Sequence, residues 1–528
     1  MGLLCLTGWT PARAQVLAQR NWAGSGVSVE PWWRRGVFYR IDPEMFQDSD
    51  GDGKGDVAGV AQRLDYLQSL GVDALILRST READPASATL TVEGFDELAR
   101  AAVGRQLRVL VELGAPASQS GDAAYVAVAR QWLNQGAAGI YVPTRALEKV
   151  DGAGHIALLL HQLRVLTNSF PGGRVLLADA PATADQDLLN ALAKETNLTA
   201  SIAIGSPAIG SPAGGGATVT AASLRAQWTA ALGGSTGSVP TAPAAKAPVM
   251  AEATGRAEDR ATHRRQPRHV AAARETDPLL VAVRVPAEMS DAAKAGLERA
   301  LAVMLLGSRA AVLLEYGQEL GLDARADGEP RMQWTPTNVT RKPEPVAAPK
   351  PKQAGPTYQT FHAYIPPPPR NFLPPPRMPV VIESDEAVAA AIDPNTLPGF
   401  TVGTLDAALT SANGAAANAA VEQADPKSLL NLYRQMIVLH HDNATVRNGA
   451  ETVLDYDAVD ALVWVRHAPA SSRTSASVVA ACNLSDRPVV LGDFGGLRLR
   501  GLRSLLNPEA EGALLTVAPG AVMVGEAR

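Results

Sequence analysis

The sequence reads GVFYRI at residues 36–41 and VDALIL at residues 72–77, two apolar runs of the length of a buried strand. Between them, apolar residues recur at three- and four-residue spacing, which predicts one amphipathic helix: Val57, Val60, Leu64, Leu67 and Leu70. Gly71 is suited to end that helix. Residues 36–77 therefore predict a strand–helix–strand unit of a parallel sheet.

The same alternation continues along the chain. Further strands are predicted at 107–111, 136–142, 174–179, 279–283 and 310–314, with helices through 95–103, 127–133, 156–166 and 292–306. This many units, with no glycine-rich phosphate loop, favour a (β/α)8 TIM barrel over a dinucleotide-binding fold.

Composition shifts divide the chain into parts. We expect the barrel to span 28–449 and to be interrupted by two low-complexity insertions, the first at 206–275 and a Pro/Ala-rich one at 342–424. The proline runs within 342–379 predict extended polyproline II, which serves as a spacer or as a docking arm for a protein partner. Short apolar runs between turn residues predict a small C-terminal antiparallel β-sandwich domain at 450–528.

Composition also excludes several classes of protein. The 528 residues carry a net charge of −5, which argues against nucleic acid as a partner. The two cysteines, Cys5 and Cys482, exclude a disulfide scaffold and a zinc site built on several thiolates. No apolar run approaches the roughly 20 residues of a membrane-spanning helix. We expect Cys482 to lie buried in a C-terminal strand.

The N-terminal residues 1–14 resemble a signal peptide, with an apolar stretch and a small-x-small pattern at Ala12-Arg13-Ala14. The positive segment that opens such a signal is absent, so an ordinary frayed terminus is the alternative. The signal-peptide interpretation predicts export to the periplasm or the extracellular space.

An acidic, glycine-containing loop predicts a metal site. Asp48, Asp50, Asp52 and Asp56 lie at alternate or nearby positions, and the Lys54 carbonyl adds a further oxygen. Hard oxygen ligands at this spacing suit a structural Ca²⁺, although no Glu stands at the twelfth position of the loop. An acidic surface turn is the alternative.

Three blocks, in order, carry a resemblance to a known family: 32–56 with its continuation at 64–74, Tyr316–Gly321 with Arg331–Trp334, and 425–434. They resemble the α-amylase superfamily, glycoside hydrolase family 13, and most of all its α-glucosidase and trehalulose-synthase-like branch. The resemblance implies a (β/α)8 barrel followed by an antiparallel β-domain, with a structural calcium ion on the acidic loop. It also implies that Gln318 and Glu319 are architectural.

The resemblance also places that family's catalytic positions, and most of them hold unsuitable residues. Members are retaining enzymes that need a carboxylate nucleophile and an acid/base carboxyl. In this chain the nucleophile position is Pro143, the accompanying arginine position is Tyr141, and the acid/base position is Asp179. No residue is therefore assigned as catalytic. We expect a degenerate site that binds an α-glucan, an oligosaccharide or an envelope partner without hydrolysis, through Glu112, Tyr141 and Asp179.

Two alternatives remain open. In the first, the chain is an active α-glucoside hydrolase or transglycosidase whose carboxylates have moved, with Asp179 as acid/base and Glu112 as nucleophile. Both lie at the C-terminal ends of predicted strands, where barrel enzymes place their chemistry, although a salt bridge from Glu112 to Arg108 or Arg81 is the structural interpretation. In the second, the chain is a structural interaction protein that uses its proline-rich arm.

The adjacent His440 and His441 point in different directions on a predicted helix, so we expect no shared metal site there.

Overall fold

The computed structural model describes residues 31–78, 94–114, 121–143, 152–180, 184, 186–200, 203–205, 219–232, 277–285, 289–322, 330–335, 418–454, 460–468, 476–491, 502–506 and 516–527. The signal-like segment 1–14, the proline-rich segment 342–379 and most of both low-complexity insertions lie outside these residues. Arg81 and Cys5 also lie outside them.

Nine parallel strands build one sheet: β1 Val37–Ile41, β2 Ala74–Arg78, β3 Arg108–Glu112, β4 Gly139–Val142, β5 Val175–Asp179, β6 Leu198–Ala200, β7 Ala203–Ile204, β8 Asp277–Ala282 and β9 Ala311–Glu315. Their order is β6-β5-β4-β3-β2-β1-β9-β8-β7, and β6 also pairs with β8. Because β6 and β7 both pair with β8, they fill one position of a closed eight-position barrel. The predicted TIM barrel is confirmed.

Helices surround the barrel and bury their apolar sides against it. The α-helices are Pro43–Phe46, Val57–Gln62, Leu64–Leu70, Phe95–Gly104, Gly121–Asn134, Ala153–Ser169, Gln186–Glu195, Ala221–Ala231, Asp291–Leu306, Ala419–Ala424, Leu429–Asp442 and Ala444–Asn448, and Trp32–Arg35 and Gln318–Leu320 are 3₁₀ turns. In the longest helix, Leu159, Leu160 and Leu163 are fully or almost fully buried. Among the described residues, no helix combines the length and the apolar character needed to cross a membrane.

The helix predicted from Val57 to Leu70 is two helices that meet at Arg63. The Arg63 side chain donates to Gln47 Oε1 at 2.9 Å, and its guanidinium lies 4.2 Å from the centre of the Trp334 ring. These contacts hold Arg63 outside helical geometry, with ψ at 10°. Tertiary contacts therefore override the helical periodicity at this one residue.

A separate antiparallel sheet follows the barrel, as predicted. Its five strands are Ala450–Leu454, Ala461–His467, Val478–Asn483, Val522–Ala527 and Leu502–Ser504, in that spatial order. Val489–Val490 and Thr516–Val517 form a second, two-stranded sheet that packs on the same apolar core. Cys482 is fully buried in the third strand of the chain order.

Candidate functional site

Polar side chains cap the apolar interior of the barrel at the C-terminal ends of its strands. Phe38, Leu110, Leu177 and Leu313 pack together inside the barrel. Side chains alternate along a strand, so the residue two positions further on also faces inward. Those residues are Arg40, Glu112, Asp179 and Glu315. The interior thus changes from apolar to charged at the end where barrel enzymes hold substrate.

Arg40 joins two of these carboxylates. Its Nε and Nη2 donate to Glu112 Oε2 at 2.5 Å and Oε1 at 2.9 Å, and its Nη1 donates to Glu315 Oε1 at 2.8 Å. Arg40 and Glu315 are register partners on adjacent strands β1 and β9. Glu112 is fully buried, whereas the Glu315 side chain is 17% exposed.

Among the described residues, Glu112 therefore pairs with Arg40 and not with Arg108, and Arg81, the other expected partner, lies outside these residues. The Arg108 guanidinium lies instead 4.2 Å from the centre of the Trp32 ring. Arg108 opens β3 and Glu112 ends it, so the two side chains lie at opposite ends of the same strand.

Asp179 forms a second part of the site with Tyr141. The Tyr141 hydroxyl donates to Asp179 Oδ2. Oδ1 is buried and makes no hydrogen bond with the described residues. Burial raises the pKa of Asp179 to about 6, and the negative charges of Glu315 and Glu112 act in the same direction, whereas Tyr141 and Arg40 oppose the rise. Asp179 is thus a carboxyl that can hold a proton near neutral pH.

Each position that the family resemblance singled out lies at this end of the barrel. Tyr141 is on β4, buried against the barrel interior, and Pro143 follows β4 and offers no ionisable group. Asp179 ends β5. The residues that sequence reasoning missed are Arg40 and Glu315. The alternation Phe38–Arg40 and Leu313–Glu315 was a signal that both face inward.

The acidic loop brings three carboxylates together. Oxygens of Asp48, Asp50 and Asp56 lie within 4.8 Å of one another. Asp48 accepts from the backbone N–H of Gly51 at 2.7 Å and of Gly53 at 2.8 Å, which curls the loop around its side chain. Asp52 is exposed and accepts from the backbone N–H of Lys54. This set of hard oxygen donors fits Ca²⁺.

Gln318 and Glu319 are buried links between elements. Gln318 Oε1 accepts from the Glu315 backbone N–H at 2.9 Å, and its Nε2 donates to the Ala282 carbonyl. Glu319 Oε1 accepts from the hydroxyls of Tyr39 and Tyr66, at 2.7 and 2.6 Å. Gln318 thereby helps to fix the end of β9, where Glu315 lies.

His440 and His441 face different partners, as the helical geometry predicts. His440 lies between the carbonyl oxygens of Leu306 and Arg35, and burial lowers its pKa to about 4. His441 Nε2 lies 3.0 Å from Asp73 Oδ2.

Parts of the sequence are similar to known proteins. The family model described as the α-amylase catalytic domain matches residues 40–87. Trehalose-6-phosphate hydrolase of Escherichia coli is 39% identical over 97 residues, 16% of this chain and 17% of that protein. Salivary alpha-glucosidase of Anopheles gambiae is 54% identical over 46 residues, 9% of this chain and 8% of that protein. The matched segments thus span less than a fifth of these relatives.

Solved structures match along most of the chain at low identity. A Bacillus licheniformis trehalose-6-phosphate hydrolase covers 94% of this chain and 99% of its own, with a TM-score of 0.60 and 12% identity. A trehalulose synthase covers 94% of this chain and 100% of its own, with a TM-score of 0.59 and 15% identity. These two matches show the shared fold.

The prediction of a non-catalytic binding protein is wrong. The matched proteins are named as hydrolases, a glucosidase and a synthase. That prediction rested on the combined loss of several family positions, Pro143 and Tyr141 among them, whereas Glu112, Asp179 and Glu315 supply carboxyl groups at the same end of the barrel. The ordered sequence blocks, the barrel with its C-terminal sheet and these matches agree: part of the chain is similar in sequence to the α-amylase catalytic domain, and its fold is that of the matched structures.

Proposed function

We propose that the chain is an active α-glucoside hydrolase or transglycosidase. The observation that carries the proposal is the pairing, inside one barrel mouth, of a carboxyl that holds a proton near neutral pH with a carboxylate beside a guanidinium. Cleavage of a glycosidic bond needs these two kinds of carboxyl group. The glucosidase, hydrolase and synthase names of the matched proteins support the same reaction class.

Asp179 is the proposed acid/base. Its pKa of about 6 leaves a fraction protonated at neutral pH, and the charged and neutral forms exchange easily there. A general acid of this kind protonates the glycosidic oxygen as the bond to the anomeric carbon breaks. After the leaving sugar departs, the Asp179 carboxylate accepts a proton from the attacking water or sugar hydroxyl.

Glu315 is the proposed carboxylate partner, as nucleophile or as the group that stabilises the oxocarbenium ion. Arg40 binds one Glu315 oxygen at 2.8 Å, which holds this carboxyl group beside a positive charge. Glu112 is less suited because it is fully buried and Arg40 occupies both of its oxygens. We assign Glu112 to holding Arg40 in place. The nucleophile suggested from sequence thus moves from β3 to β9.

The proposed substrate is an α-linked glucose disaccharide or oligosaccharide. Water as acceptor gives hydrolysis, and a second sugar hydroxyl gives transfer, by the same two carboxyl groups. Tyr141, expected from the sequence to contact the sugar, is 1% exposed and packs in the apolar barrel interior, so it offers no surface to a sugar ring.

We also propose that the acidic loop binds a structural calcium ion through Asp48, Asp50, Asp52, Asp56 and the Lys54 carbonyl. Bound there, Ca²⁺ would neutralise carboxylates that lie close together. The loop also accepts a hydrogen bond from Arg331 at the Gly53 carbonyl, at 2.6 Å. The loop therefore links β1 to the segment that follows the last barrel strand.

The reaction is tested by glucose release from maltose, trehalose, sucrose and maltodextrins, with Ca²⁺ present. We expect the wild type to release glucose from at least one of them. Asp179→Asn and Glu315→Gln should each lower kcat/KM by about 10²- to 10⁴-fold, since each removes a group acting in the transition state. Asp486→Asn is the matched control, because that carboxyl is 94% exposed in the C-terminal domain.

Two results would contradict the proposal. The first is a folded wild type without activity on the whole panel. The second is full activity in both carboxyl variants, which would assign any glucose release to a contaminant or to other residues.

A further inference from the structure

We propose that Tyr141 is the positioning residue of the acid/base, holding Oδ2 of Asp179 so that Oδ1 is the oxygen that transfers the proton. The inference rests on the proposed function, because it gives Asp179 the acid/base role. It assigns to Tyr141 a task in the reaction that differs from contact with the sugar.

The geometry fixes the Tyr141 side chain from several sides. Tyr141 is 1% exposed, and its β4 backbone pairs with Glu112 of β3 and Leu177 of β5. Its hydroxyl reaches Asp179, two residues beyond Leu177 on the neighbouring strand. The Arg40 guanidinium, which binds both Glu112 and Glu315, lies 5.6 Å from the centre of the Tyr141 ring.

The two oxygens of Asp179 are not equivalent. Oδ2 accepts from the Tyr141 hydroxyl, whereas Oδ1 is buried and has no hydrogen-bond partner among the described residues. A buried polar atom without a partner is costly and calls for an explanation, which a catalytic role supplies for Oδ1 at this end of the barrel. The arrangement therefore leaves Oδ1 to the glycosidic oxygen.

Tyr141 remains a donor throughout the reaction. Burial and the neighbouring Asp179 carboxylate raise the pKa of Tyr141 well above its usual value, so the phenol keeps its proton. When Oδ1–H gives its proton to the leaving oxygen, the bonding electrons of the cleaved C–O bond stay on that oxygen. The Asp179 carboxylate that results keeps its hydrogen bond from Tyr141. Donation to the charged form lowers the free energy of that state.

Four groups act on the Asp179 charge. Tyr141 from β4 and Arg40 from β1 favour the carboxylate, whereas Glu315 from β9 and Glu112 from β3 disfavour it. Removing the Tyr141 hydroxyl deletes one of the two favourable contributions. Asp179 should then hold its proton to higher pH.

The test is the pH profile of kcat/KM for Tyr141→Phe. We expect its alkaline limb, near pH 6 in the wild type, to move up by about one pH unit or more, as loss of a charge-assisted hydrogen bond implies. Site-specific 3-fluorotyrosine at position 141 is a stronger donor that keeps the ring, and it should move the limb down. Tyr125→Phe is the matched control, since Tyr125 is equally buried but lies on an outer helix.

A second readout separates this inference from the proposed function. Infrared difference spectra across pH follow the Asp179 carboxyl directly, with Asp179→Asn identifying its C=O band. An upward shift of that titration in Tyr141→Phe supports the inference even in a chain without glucosidase activity. An unchanged titration in both the Phe and fluorotyrosine forms, with thermal unfolding showing folded protein, would overturn it.

Discussion

Asp179 lies where its charge is disfavoured, and that has a consequence for stability as well as for chemistry. Its folded-state pKa of about 6 lies above the value of 3.8 for an ordinary aspartate. The folded protein therefore binds more protons at this side chain than the unfolded chain does between these two values. Stability accordingly falls as pH rises through this window and is constant above it. A catalytic carboxyl that destabilises its own fold is a familiar compromise between activity and stability.

We expect Asp179→Asn to raise the free energy of unfolding while it lowers activity. The gain should be at most about 3 kcal/mol at pH 7.5, since one pKa unit corresponds to about 1.4 kcal/mol. It should shrink below pH 6 and vanish only below about pH 3, where the wild-type carboxyl is protonated in both the folded and the unfolded state. Urea unfolding of the variant and the wild type at pH 7.5 and pH 4.5 measures the difference in their free energies of unfolding at each pH. A variant less stable than the wild type at pH 7.5 would refute the argument.

At the scale of elements, the acidic loop and the segment 330–335 behave as one assembly. Arg331 donates to the Gly53 carbonyl, and Trp334 Nε1 donates to the Phe46 carbonyl at 2.9 Å. The Trp334 ring also packs edge-on against Phe46 and Tyr66, with 5.1 Å between ring centres in each pair. Gly55 lets the loop close, because a Cβ there would lie 2.0 Å from the Pro43 carbonyl oxygen.

Removing calcium should loosen this assembly. We expect EGTA to lower Tm relative to protein in Ca²⁺, because an ion that binds only the folded state adds about 2.7 kcal/mol at a concentration 100-fold above Kd. Asp48→Asn should abolish the difference. Glu44→Gln, an exposed carboxyl on the adjacent helix Pro43–Phe46, should retain it. Identical Tm values for the wild type in Ca²⁺ and EGTA would contradict the calcium proposal.

Most barrel elements were predictable because each one is encoded locally. β1, β2, β3 and β5 are apolar runs flanked by amphipathic helices, and the structure places them within a residue or two of the prediction. The sixth barrel position was missed because β6 and β7 span only three and two residues. Strands that short carry too few residues for a period-two pattern to show.

At the scale of the whole molecule, the barrel and the C-terminal sheet share a buried polar contact. Glu451 of the sheet accepts from Arg466 Nη1 at 2.7 Å and from the Trp228 indole of the barrel helix Ala221–Ala231. The Trp228 ring also packs on Trp464, with 5.6 Å between ring centres. The Arg466 side chain is 1% exposed, so its charge depends on Glu451.

We expect Glu451→Leu to destabilise the protein by about 3–5 kcal/mol, since it leaves a buried guanidinium unpaired. Because the contact joins the barrel to the C-terminal sheet, urea should still unfold the variant in a single transition, with its midpoint at a lower urea concentration than in the wild type. Glu526→Gln breaks the exposed pair with Arg503 in the same sheet and should change stability by less than about 1 kcal/mol. Equal effects of the two substitutions would argue against the bridging role.

The site was less predictable than the fold because it depends on closure of the whole barrel. Asp179, Tyr141 and Glu112 could be placed at strand ends from their own segments. The pairing of Arg40 with Glu315 joins residues 275 positions apart, and it arises only when β9 returns to β1. Arg108 was wrongly suggested as a partner of Glu112 for the same reason, because it is near in sequence, whereas barrel closure brings Arg40 to Glu112.

The central claim, that Asp179 is the proton donor of an active α-glucosidase-type site, is tested most directly by the leaving-group dependence of Asp179→Asn. The measurement compares kcat/KM on maltose, whose leaving sugar needs a proton, with that on α-glucosyl fluoride, whose fluoride needs much less help. We predict a loss of about 10²- to 10⁴-fold on maltose and a loss at least about tenfold smaller on the fluoride. Equal losses on both substrates, or no loss on maltose, would contradict the claim.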